Sequence, residues 1–194
     1  MFSNKNNVNQ LTSLLKLYDV EFAVVCPGSR NAPIVHNLNE AGIECFPVTD
    51  ERSAGFYALG MSLKIGLKPV AVCVTSGTAL LNPMPAVAEA YYQHVPLIII
   101  SADRPADKID QLDGQTLHQP NALEPYALKS VNIPEAYTEE QFAYNNRLIN
   151  EAINAIYTGE YGPVHINVPL TEPLYEFSVE SLYQERGIGL SKSY

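Results

Sequence analysis

Apolar residues along this chain fall into two rhythms that take turns. Short continuous runs, Ala23-Val24-Val25-Cys26, Val70-Ala71-Val72-Cys73-Val74 and Leu97-Ile98-Ile99-Ile100, lack any period-two alternation, as expected of strands covered on both faces. They predict strands over residues 21–26, 69–74 and 96–100, with two more over 43–48 and 163–168. Between them the spacing is helical, over 11–18, 32–41, 53–65, 79–93 and 142–157; the fourth of these contains Pro83 and Pro85. Strands and helices that alternate through short links build a parallel sheet with right-handed crossovers. The predicted fold is therefore α/β, a doubly wound parallel sheet flanked by helices.

After Ser101 the rhythm breaks. Residues 103–125 are polar, lack a clear period and exceed an ordinary connection, which marks a loop with a functional task. Beyond Pro169 the chain is proline-marked and acidic, and Leu190 to Tyr194 form a polar tail that reads as a linker cut short. A domain over 1–178 followed by the start of a linker over 179–194 is the division this predicts. The 194 residues suffice for one three-layer domain, and 46% hydrophobic with 17% charged residues is a globular composition. A net charge of −9, without a basic cluster, argues against nucleic acid or an anionic membrane as partner. An anionic substrate must then be held by a few local arginines. The N-terminus has no apolar core of a secretory signal, and the longest apolar run, Val95 to Ile100, is too short to span a bilayer. Cys26, Cys45 and Cys73 lack CxxC spacing and read as reduced packing residues of a cytoplasmic protein.

Candidate chemistry collects where strands give way to helices, at the carboxyl edge where open α/β sheets keep their ligands. Asp50-Glu51-Arg52-Ser53 places the Glu51 carboxylate there, either as a functional group or as a partner of the helix dipole. Pro27-Gly28-Ser29-Arg30-Asn31 offers a tight turn, a hydroxyl and a guanidinium fork suited to a carboxylate; a plain turn with Arg30 paired on the surface is the alternative. Thr75-Ser76-Gly77-Thr78 is a similar junction, at which Thr78 has a capping role open to it. Arg104 follows the fourth strand, facing the same rim or bridged to Asp103 or Asp107. Gln115, in the long loop, is free to orient a polar ligand or simply to face water.

Glu51, Phe56, Tyr57 and Gly60 together resemble the glutamate motif of the pyrimidine-binding domain in thiamine-diphosphate enzymes. CPGSRNAP, DERSAGFYALG, VTSGTALLNPMPAVAEA, SADRP, GQTLHQ and GPVHINVPLTEPLY resemble the branch of that family that serves menaquinone biosynthesis, from about Leu11 to Tyr175. The resemblance implies that Glu51 hydrogen-bonds N1′ of the cofactor's aminopyrimidine, with a raised pKa once its pocket is dry in the assembled enzyme. It implies that Pro27, Thr75, Thr78 and Asn82 line the pyrimidine pocket, and that Ser29, Arg30, Arg104 and Gln115 bind substrate. The implied reaction decarboxylates 2-oxoglutarate and adds the succinyl unit to isochorismate, in a homodimer or tetramer. Gly114 departs from the pattern, since many relatives carry a side chain there. The family's Gly-Asp-Gly diphosphate and Mg²⁺ motif is absent from these residues, so Mg²⁺ would be held mainly by a further domain and the fragment alone would be inactive.

Overall fold

The computed structural model describes residues 1–189; the polar tail at 190–194 lies outside them. Six strands form one parallel sheet: β2 (Phe22–Val25), β3 (Glu44–Pro47), β4 (Val70–Val74), β5 (Leu97–Asp103), β6 (Ser130–Asn132) and β7 (Val164–Pro169), in the order β3-β2-β4-β5-β7-β6. The helices are α1 (Asn6–Leu17), α2 (Ala32–Glu40), α3 (Glu51–Lys64), α4 (Met84–Tyr92) and α5 (Glu139–Ala155). The chain leaves β2 for β3 on one side and then crosses to β4 on the other, so the strand order reverses at β2 and β4. Their carboxyl ends flank the crevice that such a reversal leaves open.

Each central strand feeds two cores. Ala71 and Cys73 of β4, with Ile98 and Ile100 of β5, face α1, α2 and α5, where Leu14, Ile34 and Ile153 are fully buried. Val70, Val72, Val74, Leu97 and Ile99 face α3 and α4, with Leu123 of the long loop completing that layer. The three cysteines are free thiols, and burial pushes the Cys26 thiol up to about 12.

Three short strands depart from the prediction. β6 adds an edge beside β7, while β1 (Phe2–Ser3) pairs antiparallel with β8 (Phe177–Val179) outside the main sheet. α1 begins five residues before its expected start because its first turn is tied down by amides, with Val8 as its one buried apolar side chain. Asn7 Nδ2 donates to the carbonyls of Ile133 (2.9 Å) and Pro169 (3.0 Å), and Asn6 Nδ2 donates to that of Ala136. Similar buried amides recur: Asn37 accepts from the Ser3 N–H at 2.8 Å, and Asn145 donates to the Pro134 carbonyl at 2.7 Å. Residues past β8 run back along α1 and α5, where Ser13 Oγ donates to the Tyr183 carbonyl and Asn150 Oδ1 accepts from the Ile188 N–H, both at 2.8 Å. The helix expected over 79–93 splits into a 3₁₀ turn, Gly77–Leu80, and α4, since Pro83 and Pro85 each lack the N–H an uninterrupted helix requires.

Candidate functional site

α3 begins at Glu51, two residues earlier than its apolar spacing predicts. Asp50 is the N-cap: its Oδ2 accepts from the Ser53 N–H at 2.7 Å, and Ser53, through its side chain first and then its backbone, holds the Asp50 carboxyl below its ordinary value. The capping task is thereby taken, and Glu51 turns elsewhere. Its Oε2 accepts from Asn82 Nδ2 at 2.9 Å, just beyond the 3₁₀ turn. Glu51 is half-buried and Asn82 exposed, so the pair stands at an open rim. The charges of Glu51 and Asp50 add to burial in raising the Cys26 thiol, which places the end of β2 in the same field.

The loops after β2 and β4 meet at Gly28. A Cβ there would lie 2.4 Å from the Thr75 Cβ and 2.5 Å from Asn31 Oδ1, so only glycine allows this approach. Asn31 Nδ2 closes the turn onto the Cys26 carbonyl at 2.8 Å, leaving Asn31 Oδ1 buried without a partner. Gly77 has φ +78°, and a Cβ on it would come within 3.1 Å of the Gln115 backbone. Pro27 and Thr78 are exposed and Thr75 is buried; Thr78 makes no cap with its side chain. Gly28→Ala is expected to cost about 1–3 kcal/mol, because overpacking here pushes on buried Thr75 and Asn31. A urea midpoint equal to that of the native sequence would show that the two loops can part freely.

Arg30 is buried, at 6% exposure, which overturns the reading of a surface pair. Its Nη1 donates to the Leu170 carbonyl at 2.7 Å and its Nη2 to Glu172 Oε1 at 2.9 Å. Arg104 Nη1 lies 3.9 Å from the same oxygen, while Arg104 Nε is buried with no partner. Burial first, then the charge of Arg104, lower the Arg30 pKa. No bridge joins Arg104 to Asp103 or Asp107 among the described residues. Asp103 Oδ1 accepts instead from the Arg104 N–H at 2.7 Å, and Asp103 Oδ2 from Asn167 Nδ2 at 2.7 Å. Burial pushes the Asp103 carboxyl up.

Behind this rim lies a buried polar chain. Gln119 Oε1 accepts from the Gly77 N–H and its Nε2 donates to Asn167 Oδ1, both at 2.8 Å. Gln119 thus ties the Gly77 turn to the strand ends that carry Arg104. The side chains of Ser29 and Gln115 are exposed and form no hydrogen bond among the described residues. The predicted residues therefore form two groups, Glu51 and Asn82 with the Gly28–Thr75 junction, and Arg30 with Arg104, joined by the 26–31 loop. Glu172 and Asn167 are the members the sequence did not single out; Gln119, an amide of the same loop as Gln115, holds the scaffold rather than facing a ligand. A cleft of about 320 Å³ adjoins Arg104, lined also by Leu117, His118 and Asn132. The larger cleft, about 470 Å³ beside α1 and residues 180–185, contains none of the site residues.

Comparison with known proteins decides the family. The model for "Thiamine pyrophosphate enzyme, N-terminal TPP binding domain" matches residues 6–124, more than half of the chain. The chain belongs to the thiamine pyrophosphate enzymes. Among its relatives, the 2-succinyl-5-enolpyruvyl-6-hydroxy-3-cyclohexene-1-carboxylate synthases of Bacteroides thetaiotaomicron and Phocaeicola vulgatus are 56% and 57% identical over 97% of this chain. That of Porphyromonas gingivalis is 41% identical over 96% of it. The chain spans about a third of these relatives' length: 34%, 34% and 33%. One feature of this thiamine pyrophosphate domain suits a pyrimidine ring: a rim carboxylate backed by an amide, beside two loops that Gly28 and Gly77 let pack closely against their neighbours. Among the described residues no group of three or more His, Cys, Asp or Glu is placed to hold a metal ion, and no helix is long and apolar enough to cross a membrane.

Proposed function

We propose that this domain belongs to a transferase that decarboxylates 2-oxoglutarate and adds the resulting succinyl unit to isochorismate, in menaquinone biosynthesis. The observation that carries the reading is the buried Arg30 beside Arg104 on the rim that also bears Glu51. Both substrates are multiply anionic, and a protein of net charge −9 needs such a local concentration of guanidinium to hold them. An uncharged acceptor would leave the pair without a task.

Thiamine diphosphate supplies the electron sink that lets a 2-oxo acid lose carbon dioxide. The chain's own residues do the placing. Glu51 would share a hydrogen bond with N1′ of the aminopyrimidine and hold or release the proton there, with Asn82 fixing the carboxyl's orientation. Pro27, Thr75 and Thr78 would border the ring. Ser29, Arg30, Arg104 and Gln115 would hold the acceptor and the succinyl carboxylate. Mg²⁺ and the diphosphate are assigned to a further domain, with residues 1–178 forming the pyrimidine-binding unit and 179 onward starting the linker, its first residues lying back along α1 and α5. Glu51 is only half-buried, and Phe56 and Tyr57 on the same helix are exposed, at 41% and 48%. A second subunit covering this rim would dry the site, so the active unit is a homodimer or tetramer, in the cytoplasm, and the isolated domain is inactive.

The test is an assay of the full-length enzyme that carries this domain, with thiamine diphosphate and Mg²⁺. Consumption of isochorismate that depends on 2-oxoglutarate is the expected result. Decarboxylation of another 2-oxo acid, with isochorismate untouched, would keep the cofactor and reject the substrates.

A further inference from the structure

Glu172 lies on the segment after β7, and its side chain is 69% exposed while Arg30's is 7% exposed. One carboxylate oxygen, Oε1, serves both guanidiniums, and Oε2 has no hydrogen bond among the described residues. We propose that Glu172 is a built-in stand-in for a substrate carboxylate: it occupies the Arg30–Arg104 pair in the empty site and is displaced when an anionic ligand arrives. The inference rests on the reading of those arginines as carboxylate-binding.

The energetics favour exchange over a permanent bridge. A largely exposed carboxylate returns to water at little cost, and its ion pair contributes little. Arg30 is different, since a buried guanidinium stripped of its partner is strongly unfavourable. Exchange of one carboxylate for another never strips it, because Leu170 keeps Nη1 and the ligand replaces Glu172 at Nη2. Among the described residues Arg104 is still short of partners: its Nη1 is 3.9 Å from Glu172, beyond hydrogen-bond distance, and its Nε has none. A ligand carboxylate placed between the two arginines would satisfy donors that Glu172 does not reach. Asp103, the other nearby carboxylate, is turned toward Asn167 and the Arg104 backbone. Glu172 is therefore the group that competes with the ligand and sets how strongly multiply anionic molecules are captured.

Glu172→Gln keeps an oxygen for Arg30 and removes the competing charge. In the full-length enzyme kcat/KM for isochorismate should rise about 5- to 10-fold, with the change carried by a lower KM, and succinate should bind more tightly by a similar factor in calorimetric titration. A Glu172 that merely buttresses Arg30 would give the opposite sign, a raised KM and weaker succinate binding; that result, or no change in either measurement, overturns the proposal. If the native enzyme leaves isochorismate untouched, the substrate reading falls, and the succinate titration of native and variant enzyme alone judges Glu172.

Discussion

Glu51→Gln should lower kcat of the full-length enzyme by about 10²- to 10⁴-fold, the usual worth of a positioned acid–base group. The fold should be untouched, because Asp50 and not Glu51 caps α3. The new amide still offers an oxygen to Asn82, so the loss isolates proton handling from packing. The neighbouring carboxylate supplies the contrast. Asp50→Ala is expected to lower the melting temperature through the lost cap while leaving the Glu51 carboxylate in place. Two adjacent acids thus divide structure from chemistry, and paired measurements of melting and turnover read the division directly. Turnover by Glu51→Gln within a few-fold of the native enzyme would remove Glu51 from the mechanism.

The second large effect is on stability. His165 is the second residue of β7, fully buried, with Nε2 2.8 Å from Ser101 Oγ and Nδ1 2.9 Å from Ser130 Oγ. Burial lowers its pKa to about 3, whereas an unfolded chain's histidine titrates near 6.5. The neutral ring is the folded form, so its contribution is complete above about pH 6.5 and falls as acid protonates the unfolded chain first. The loss is about 1.4 kcal/mol per pH unit, roughly 4 kcal/mol by pH 3.5. Asp103 works in the opposite sense, since burial raises its carboxyl, but only in the acid range where carboxyls titrate. Urea midpoints measured from pH 7 to pH 4 should follow this slope, and His165→Gln should flatten it. An equal slope in the variant would assign the acid sensitivity to other groups.

The central sheet was legible because β4 and β5 bury every residue, and a short unbroken apolar run suits a strand covered on both faces. β1, β6 and β8 are two or three residues long and carry no such run; neighbours, not propensity, hold them in place. The first turn of α1 was hidden for a related reason: Asn7 is a buried amide and Asn6 a half-buried one, and both look like surface residues in a sequence. At the site, residues at strand ends announced themselves, since a charged group beside an apolar run is conspicuous: Glu51, Arg30 and Arg104 all stood out. Glu172 and Asn167 did not, and Gln119 showed only as one amide of the long loop. Their significance depends on contacts across 142, 64 and 42 residues of chain, to Arg30, Asp103 and Gly77, which no local pattern records.

The buried asparagines also bear on how this molecule meets its ionic surroundings. Asn7, Asn37 and Asn145 join distant parts of the chain through neutral amides, and dissolved ions barely weaken such bonds. Glu172, Arg30 and Arg104 form a charged cluster that is partly open to solvent, within reach of screening at physiological ionic strength. Salt therefore acts on the two halves of the design unequally. The scaffold is built to be indifferent to it, and the grip on anions is not.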